Sequence, residues 1–382
     1  MTKNKVYITN LAKFLPGSPV SNDEMESVLG QVANKPSRAR KTVLRSNKIT
    51  SRYYAIDKAS GEMTHTGAQL AVEAIKLLDD QAFSIQKIQC LATATSIPDQ
   101  IMPSQAVMIH GELGIPPCEA ITTSGICVSG MAAMKYAYMS IASGSHENAV
   151  AVAAELASIV MRGENFNSEI EQKIKELESK PELAFEKDFL RWMLSDGAGA
   201  VLLQSAPRKK GMSLSINWLE IISYANEVEA CMYAGGEKLN HKLKGWMSYS
   251  SQERDQQSIM SVKQDVKLLN DKIIYYTVER ALSDIRKKHP INAEDIDWFL
   301  PHYSSNFFRQ KVYDGLANIN FEIPFDKWFT NLSDVGNVGS ASMYIMLAEI
   351  YASGKLKTGQ KILCYIPESG RFSSCFMLLT VE

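Results

Sequence analysis

The sequence predicts a layered α/β protein made of two halves, and three observations carry that expectation. Short apolar runs of strand type alternate with longer helical patterns. Several of those runs are apolar enough to be buried on both faces. The polar stretch Ala206-Pro-Arg-Lys-Lys-Gly211 then follows a strand and separates two lengths of chain, each long enough for its own sheet. The boundary is placed between halves of residues 1–207 and 208–382. No repeat is evident between them by eye.

Taken in order, the strand-type runs are Ile88–Ile97, Ala149–Ala154, Ala198–Leu203, Ile296–Leu300, Lys361–Ile366 and Cys375–Val381. The helical patterns are Thr64–Leu78, Ser104–Leu113, Ser129–Ser143, Ser261–Lys288 and Ser340–Ser353. A charge-rich segment at about 163–190 has acids and bases at helical spacing and reads as a solvated surface insertion. A chain of 382 residues with 45% hydrophobic and 22% charged residues buries sizeable cores and is not disordered.

Composition excludes several classes. Lys plus Arg is 41 against 42 Asp plus Glu, a net charge of −1, which gives no general polyanion-binding surface. The six cysteines are scattered, without a CxxC pair or metal-type spacing, so a reduced cytoplasmic protein without a metal is expected. The opening residues lack the apolar core of a signal peptide. The apolar runs fall far short of the roughly 18 to 20 residues of a membrane span. Neither a nucleic acid nor a membrane is expected as a partner.

Three segments could carry chemistry. In Thr123-Ser-Gly-Ile-Cys127-Val-Ser-Gly130, a Cys sits between glycines just before an Ala/Met-rich helical pattern. Such an elbow aims sulfur into a cleft, and a helix N-terminus favours the thiolate, the form that attacks a carbonyl. A packed small hydrophobe is the alternative reading of that Cys. In Asp295-Ile-Asp-Trp-Phe-Leu-Pro301-His302, a buried-type strand ends at an imidazole, at the edge where ligands gather in open sheets. In Asn331-Leu-Ser-Asp-Val-Gly336-Asn337-Val-Gly339, small residues permit close backbone approach ahead of a helix. A structural His and a helix-capping glycine loop remain open for these two.

Together, Cys127, His302 and Asn337 resemble the Cys-His-Asn set of the ketoacyl-ACP synthase III branch of the thiolase superfamily. The resemblance spans nearly the whole chain. Asp99 to Gly114 is similar to the segment ahead of the nucleophile, and Ser195-Asp-Gly-Ala-Gly-Ala to the Gly-Asp-Gly-Ala-Gly-Ala strand turn. It implies a thiolase-like fold, two similar α/β halves in five αβαβα layers, and a homodimer. It also implies an acylated Cys127, with His302 and Asn337 hydrogen-bonding a thioester oxygen as an enolate forms. The amides of Cys127 and, by position, Gly370 would form a second oxyanion hole. By position too, Met102 would reach across the dimer into the partner's acyl pocket.

The departures narrow the resemblance. The chain has one residue more between Cys127 and Gly130 than the family's Cys-Ser-Gly, and Pro367-Glu-Ser-Gly-Arg-Phe-Ser373 replaces a Gly-rich loop. The family's N-terminal Trp-containing motif is replaced by Lys41-Thr-Val-Leu-Arg-Ser-Asn-Lys-Ile49, which favours acyl carrier protein over coenzyme A as the thioester donor. With its N-terminal segment and Glu368-Ser-Gly-Arg-Phe, the chain looks like the ketosynthase–cyclases of bacterial dialkylresorcinol and stilbene biosynthesis. Those join a β-ketoacyl to an α,β-unsaturated acyl thioester and close a cyclohexanedione ring, which a downstream aromatase would consume. The alternative is a decarboxylative synthase that elongates an acyl primer with malonyl-ACP. No cofactor is expected beyond the phosphopantetheine that carries the acyl groups. Glu155 is either a base or a structural carboxylate, and Arg371 either meets a product carboxylate or pairs with Glu368. Lys263, Lys267 and Lys272, placed on one helical pattern, are expected to form a basic docking face for the carrier.

Overall fold

Runs of small and β-branched residues, buried on both sides, form the middle strands of one large sheet. The protein is seen in a computed structural model that describes residues 4–166 and 189–382. Most of the charge-rich segment expected at about 163–190 therefore lies outside the described residues. The first half contributes β1 (Tyr7–Phe14), α1 (Gly67–Lys76), β2 (Cys90–Thr95), α2 (Gln105–Leu113) and β3 (Glu119–Ser124). It continues through α3 (Cys127–Ala142), β4 (Asn148–Glu155) and β5 (Gly197–Gln204). The second half holds β6 (Leu214–Ser223), α4 (Val266–Ile274), α5 (Ala281–Lys288), β7 (Trp298–Pro301) and α6 (Phe307–Asn318). It ends with α7 (Ser342–Ala352), β8 (Lys361–Glu368) and β9 (Ser373–Val381).

The sheet has nine strands in the order β7-β8-β9-β6-β1-β5-β4-β2-β3. Pairing polarity repeats across its middle. In the first half β2 is parallel to β3 and β4, and β5 is antiparallel to β4 and β1. In the second, β7 is parallel to β8, and β9 is antiparallel to β8 and β6. A lone parallel bridge, Phe299 to Trp328, stands where β3 stands in the first half. The repeat that the sequence hides is thus plain in the topology. Two separate sheets were expected, but β1 and β6 pair at Tyr7–Ser215 and Ile8–Leu214 and join the half-sheets.

Period-two alternation sorts the side chains into cores on opposite faces. Ala149, Ala151 and Ala153 of β4 face a central core shared with Cys364, Ile366 and Met377. Val150, Val152 and Ala154 face an outer core under α1. Leu363, Tyr365 and Phe376 face the other outer core, under α4 to α6. Helices α3 and α7 lie between the half-sheets. Helix α3 touches β2 and β4 on one side and β8 and β9 on the other, while α7 lies on β1 and β5. Outer helices complete five layers.

The helix expected over Ser261–Lys288 starts later, at Val266, where the Asp265 side chain accepts from Leu268 N–H. Lys263 lies on a short strand, Lys263–Gln264, and its ammonium pairs with Glu237. It therefore shares no helix face with Lys267 and Lys272. Asp99, ahead of α2, closes the start of α1 by accepting from Gly67 N–H (2.7 Å) and Ala68 N–H (2.9 Å).

Candidate active site

Cys127 is the first residue of α3, at the end of β3. The elbow is tight because Gly125, at φ 148°, allows it, and because Gly130 brings α3 against the chain ahead of α7. A Cβ on Gly130 would lie 2.2 Å from the Ser340 carbonyl oxygen. The Tyr344 hydroxyl donates to the Gly130 carbonyl at 2.7 Å and ties α7 to the same turn. Half-buried Cys127 borders two compartments. One, of about 290 Å³, is also lined by Asn337 and Glu155; the other, of about 40 Å³, by His302. Ser304 and Ser369 border both.

His302 follows the last residue of β7 and is fixed by its N–H, which donates to the Tyr365 carbonyl on β8 at 2.8 Å. Burial lowers its pKa to about 4, so its imidazole is neutral at ordinary pH. A neutral imidazole has one N–H donor and one acceptor nitrogen. Asn337 is pinned through its backbone: its N–H donates to the Met193 carbonyl (3.0 Å), and its carbonyl accepts from Ser195 N–H (2.9 Å). Its Oδ1 accepts from Gly339 N–H at 3.0 Å. Gly336, at φ 77°, is required here, since a Cβ would come within 2.9 Å of the Ser195 Cβ.

Glu155 ends β4 and is 4% exposed. Its Oε1 accepts from the N–H groups of Ser96 (3.0 Å) and Ser340 (3.0 Å) and from their hydroxyls (2.7 and 2.5 Å). None of the hydrogen bonds found among the described residues uses Oε2. Burial raises this carboxyl, and the four donors oppose that. Neighbouring Asp196 is raised by burial to about 6 and accepts from Ala55 N–H and Ser158 N–H, each at 2.8 Å. That bonding explains the Ser195-Asp-Gly turn as a brace for the strand end that carries Glu155.

The other expected residues lie outside both compartments. Gly370 lies in the turn between β8 and β9, against Ile126, and lines neither compartment; its neighbour Ser369 lines both. Arg371 donates from Nε to the Val228 carbonyl at 2.7 Å, and its expected partner Glu368 instead accepts from the Ile126 and Val128 amides. Met102 is 79% exposed and borders neither compartment. The thiolate expected from the helix N-terminus is opposed by its surroundings: burial, then Glu368, then Glu155, push the Cys127 thiol up. Sequence reading missed the wall made by Met161, Met193, Met232 and Val262, whose scattered positions carry no local signal. Elsewhere, Cys90, Glu119 and His146 bring possible ligand atoms within 4.8 Å of one another. There, His146 Nδ1 lies 2.6 Å from the Ser140 hydroxyl and Nε2 3.4 Å from Glu119, so hydrogen bonding accounts for the grouping.

Comparison with known proteins agrees with this fold. Residues 287–367 match the profile described as 3-oxoacyl-[acyl-carrier-protein (ACP)] synthase III C terminal. The chain is 25% identical over 357 residues to the beta-ketoacyl-[acyl-carrier-protein] synthase III of Clostridium perfringens, with 93% of both chains covered. It is 24% identical over 363 residues to that of Neisseria gonorrhoeae, again with 93% of both covered. Among solved structures, AbyA1, a tetronic acid condensing enzyme, superposes with a TM-score of 0.76 at 17% identity, covering 98% of this chain and 99% of that one. OleA of Xanthomonas campestris gives 0.72 at 18% identity, with 99% of each covered. Among the described residues, no helix is long and apolar enough to cross a membrane.

Proposed function

We propose that this chain, which shares the thiolase-like fold of 3-oxoacyl-ACP synthase III structures and resembles such synthases over most of its length, is a condensing enzyme that joins two acyl thioesters and closes a ring. A β-ketoacyl group and an α,β-unsaturated acyl group, both delivered on acyl carrier protein phosphopantetheine, condense through a Cys127 thioester to a cyclohexanedione. That product is a precursor of dialkylresorcinol or stilbene type. The observation that supports this reading is the meeting of two separate compartments, one large and apolar, at a single sulfur. The first has room for an acyl chain, and the second, with room for only a few waters, brings His302 to the same residue.

In the first half-reaction the Cys127 sulfur attacks the donor carbonyl, the C–S bond to pantetheine breaks, and the Cys proton passes to the released thiol. In the second, removal of the α-proton from the β-ketoacyl partner gives an enolate whose oxygen is met by His302 and Asn337. One well-placed donor in such a site is worth about 3 to 4 kcal/mol. Glu155 is the proposed base, acting through the Oε2 that its anchoring leaves uncommitted. The same reading makes the protein a cytoplasmic homodimer with Met102 at the partner's acyl pocket, and a monomer by light scattering would remove that part.

The names of the curated relatives favour a second reading, elongation of an acyl primer with malonyl-ACP. Mass spectrometry of products from paired β-ketoacyl- and enoyl-carrier thioesters separates the two. Cyclohexanedione formed without malonyl-ACP is expected. A linear β-ketoacyl product formed only with malonyl-ACP would establish the second reading instead.

A further inference from the structure

The last residue of β8 brings a carboxylate to the start of α3. Glu368 Oε2 accepts from Ile126 N–H and Val128 N–H, each at 3.1 Å. Those amides flank Cys127 on either side. Two glycines leave room for the group: a Cβ on Gly125 would lie 3.6 Å from Oε2, and one on Gly370 3.3 Å from Oε1. A Cβ at Gly125 would just touch the carboxylate, and one at Gly370 would press on it by a few tenths of an ångström. A negative group at a helix start also meets the favourable end of the peptide dipoles.

We propose that Glu368 is a positioning residue for the nucleophile, clamping the amides on both sides of Cys127 and placing a carboxylate beside the sulfur. The proposal rests on the reading of Cys127 as the acyl acceptor. The groups that face the sulfur agree with it. Glu368 comes from the end of β8, Glu155 from the end of β4, neutral His302 from the end of β7, and Tyr233 from the outer wall. Among the described residues, no Lys or Arg lines either compartment to offset the two carboxylates. Burial and those carboxylates push the thiol up, while burial raises Glu368 against its two amide bonds. A resting thiol suits acyl exchange, because the proton that leaves Cys127 ends on the released pantetheine thiol and none is gained or lost overall. It also leaves the empty enzyme slow to react with stray electrophiles, since the thiolate is the attacking form.

Glu368→Gln tests this, because one amide oxygen can still accept both N–H groups while the charge is gone. Modification of the full-length protein by iodoacetamide is followed by intact mass across roughly pH 7 to 10, with Cys127→Ala as the blank for the other cysteines. The expected result is a Gln-variant profile displaced to lower pH by about one unit, roughly tenfold more thiolate at a given pH, with an unchanged melting temperature. Glu368→Ala, which leaves both amides unpaired, should melt lower and lose condensation. An unshifted profile in a Glu368→Gln protein that melts like the wild type overturns the proposal. If wild-type Cys127 is never modified at any pH, the reading of it as the nucleophile falls first.

Discussion

At the scale of single residues, buried Glu155 divides its two oxygens between structure and the proposed chemistry. Oε1 holds Ser96 and Ser340, and through them the end of β4 and the chain leading into α7. Glu155→Ala should therefore melt several degrees lower, since each orphaned buried donor costs about 1 to 3 kcal/mol. Glu155→Gln keeps an acceptor for those donors and removes only the base. It is expected to melt like the wild type and accept an acyl group normally, yet form cyclohexanedione about 10²-fold more slowly. Full product yield from that variant would return Glu155 to a purely structural role. The motifs around Cys127, His302 and Asn337 could be read locally, because each sits in a short run of Gly, Pro and small residues at a strand end. Glu368 could not: its partners lie 240 and 242 positions earlier, and no local pattern links a carboxylate at a strand end to a distant helix start.

At the scale of elements, the crossing of α3 with the chain ahead of α7 sets where the nucleophile stands. Gly130 permits it, and the atom in the way of a side chain there is a backbone oxygen, which cannot swing aside. Gly130→Ala is expected to destabilise the fold by about 1 to 3 kcal/mol, as overpacking does, and to displace the elbow so that acylation slows. Gly111, in α2 with nothing within 4 Å of an added Cβ, is the control, and Ala there should stabilise by roughly 0.5 to 1 kcal/mol. Thermal melts of both variants check the contrast, and equal effects would mean that the crossing is looser than drawn. Apolar runs made most strands legible. Strand β3 was not, because Glu119–Ser124 is polar and partly exposed along an edge. The long helical pattern from Ser261 was read too far forward, since a strand of two residues leaves no period to detect. Within it, Tyr275–Arg280 adopts π geometry without breaking the apolar stripe.

At the scale of the whole molecule, the site is a product of duplication in space. Each half ends a parallel edge strand at the site, β3 into Cys127 and β7 into His302, and the central helix α3 packs on strands of both halves. That symmetry was invisible in the sequence because packing constrains side-chain size and alternation, which many sequences satisfy. The pairing of β1 with β6 was equally hidden, since it joins residues more than 200 positions apart. Such long-range pairings are set by the fold and leave no local signal.

The central claim is that the Cys127 sulfur carries the acyl group at which the two halves and both compartments meet. Intact-mass spectrometry of the full-length protein after incubation with acyl carrier protein thioesters tests it most directly. One acyl group is expected on the wild type and none on Cys127→Ala, while His302→Ala and Asn337→Ala should still take up acyl but fail to condense it. Acylation of Cys127→Ala at any of the other five cysteines, or condensation at the wild-type rate without His302 or Asn337, would contradict the account.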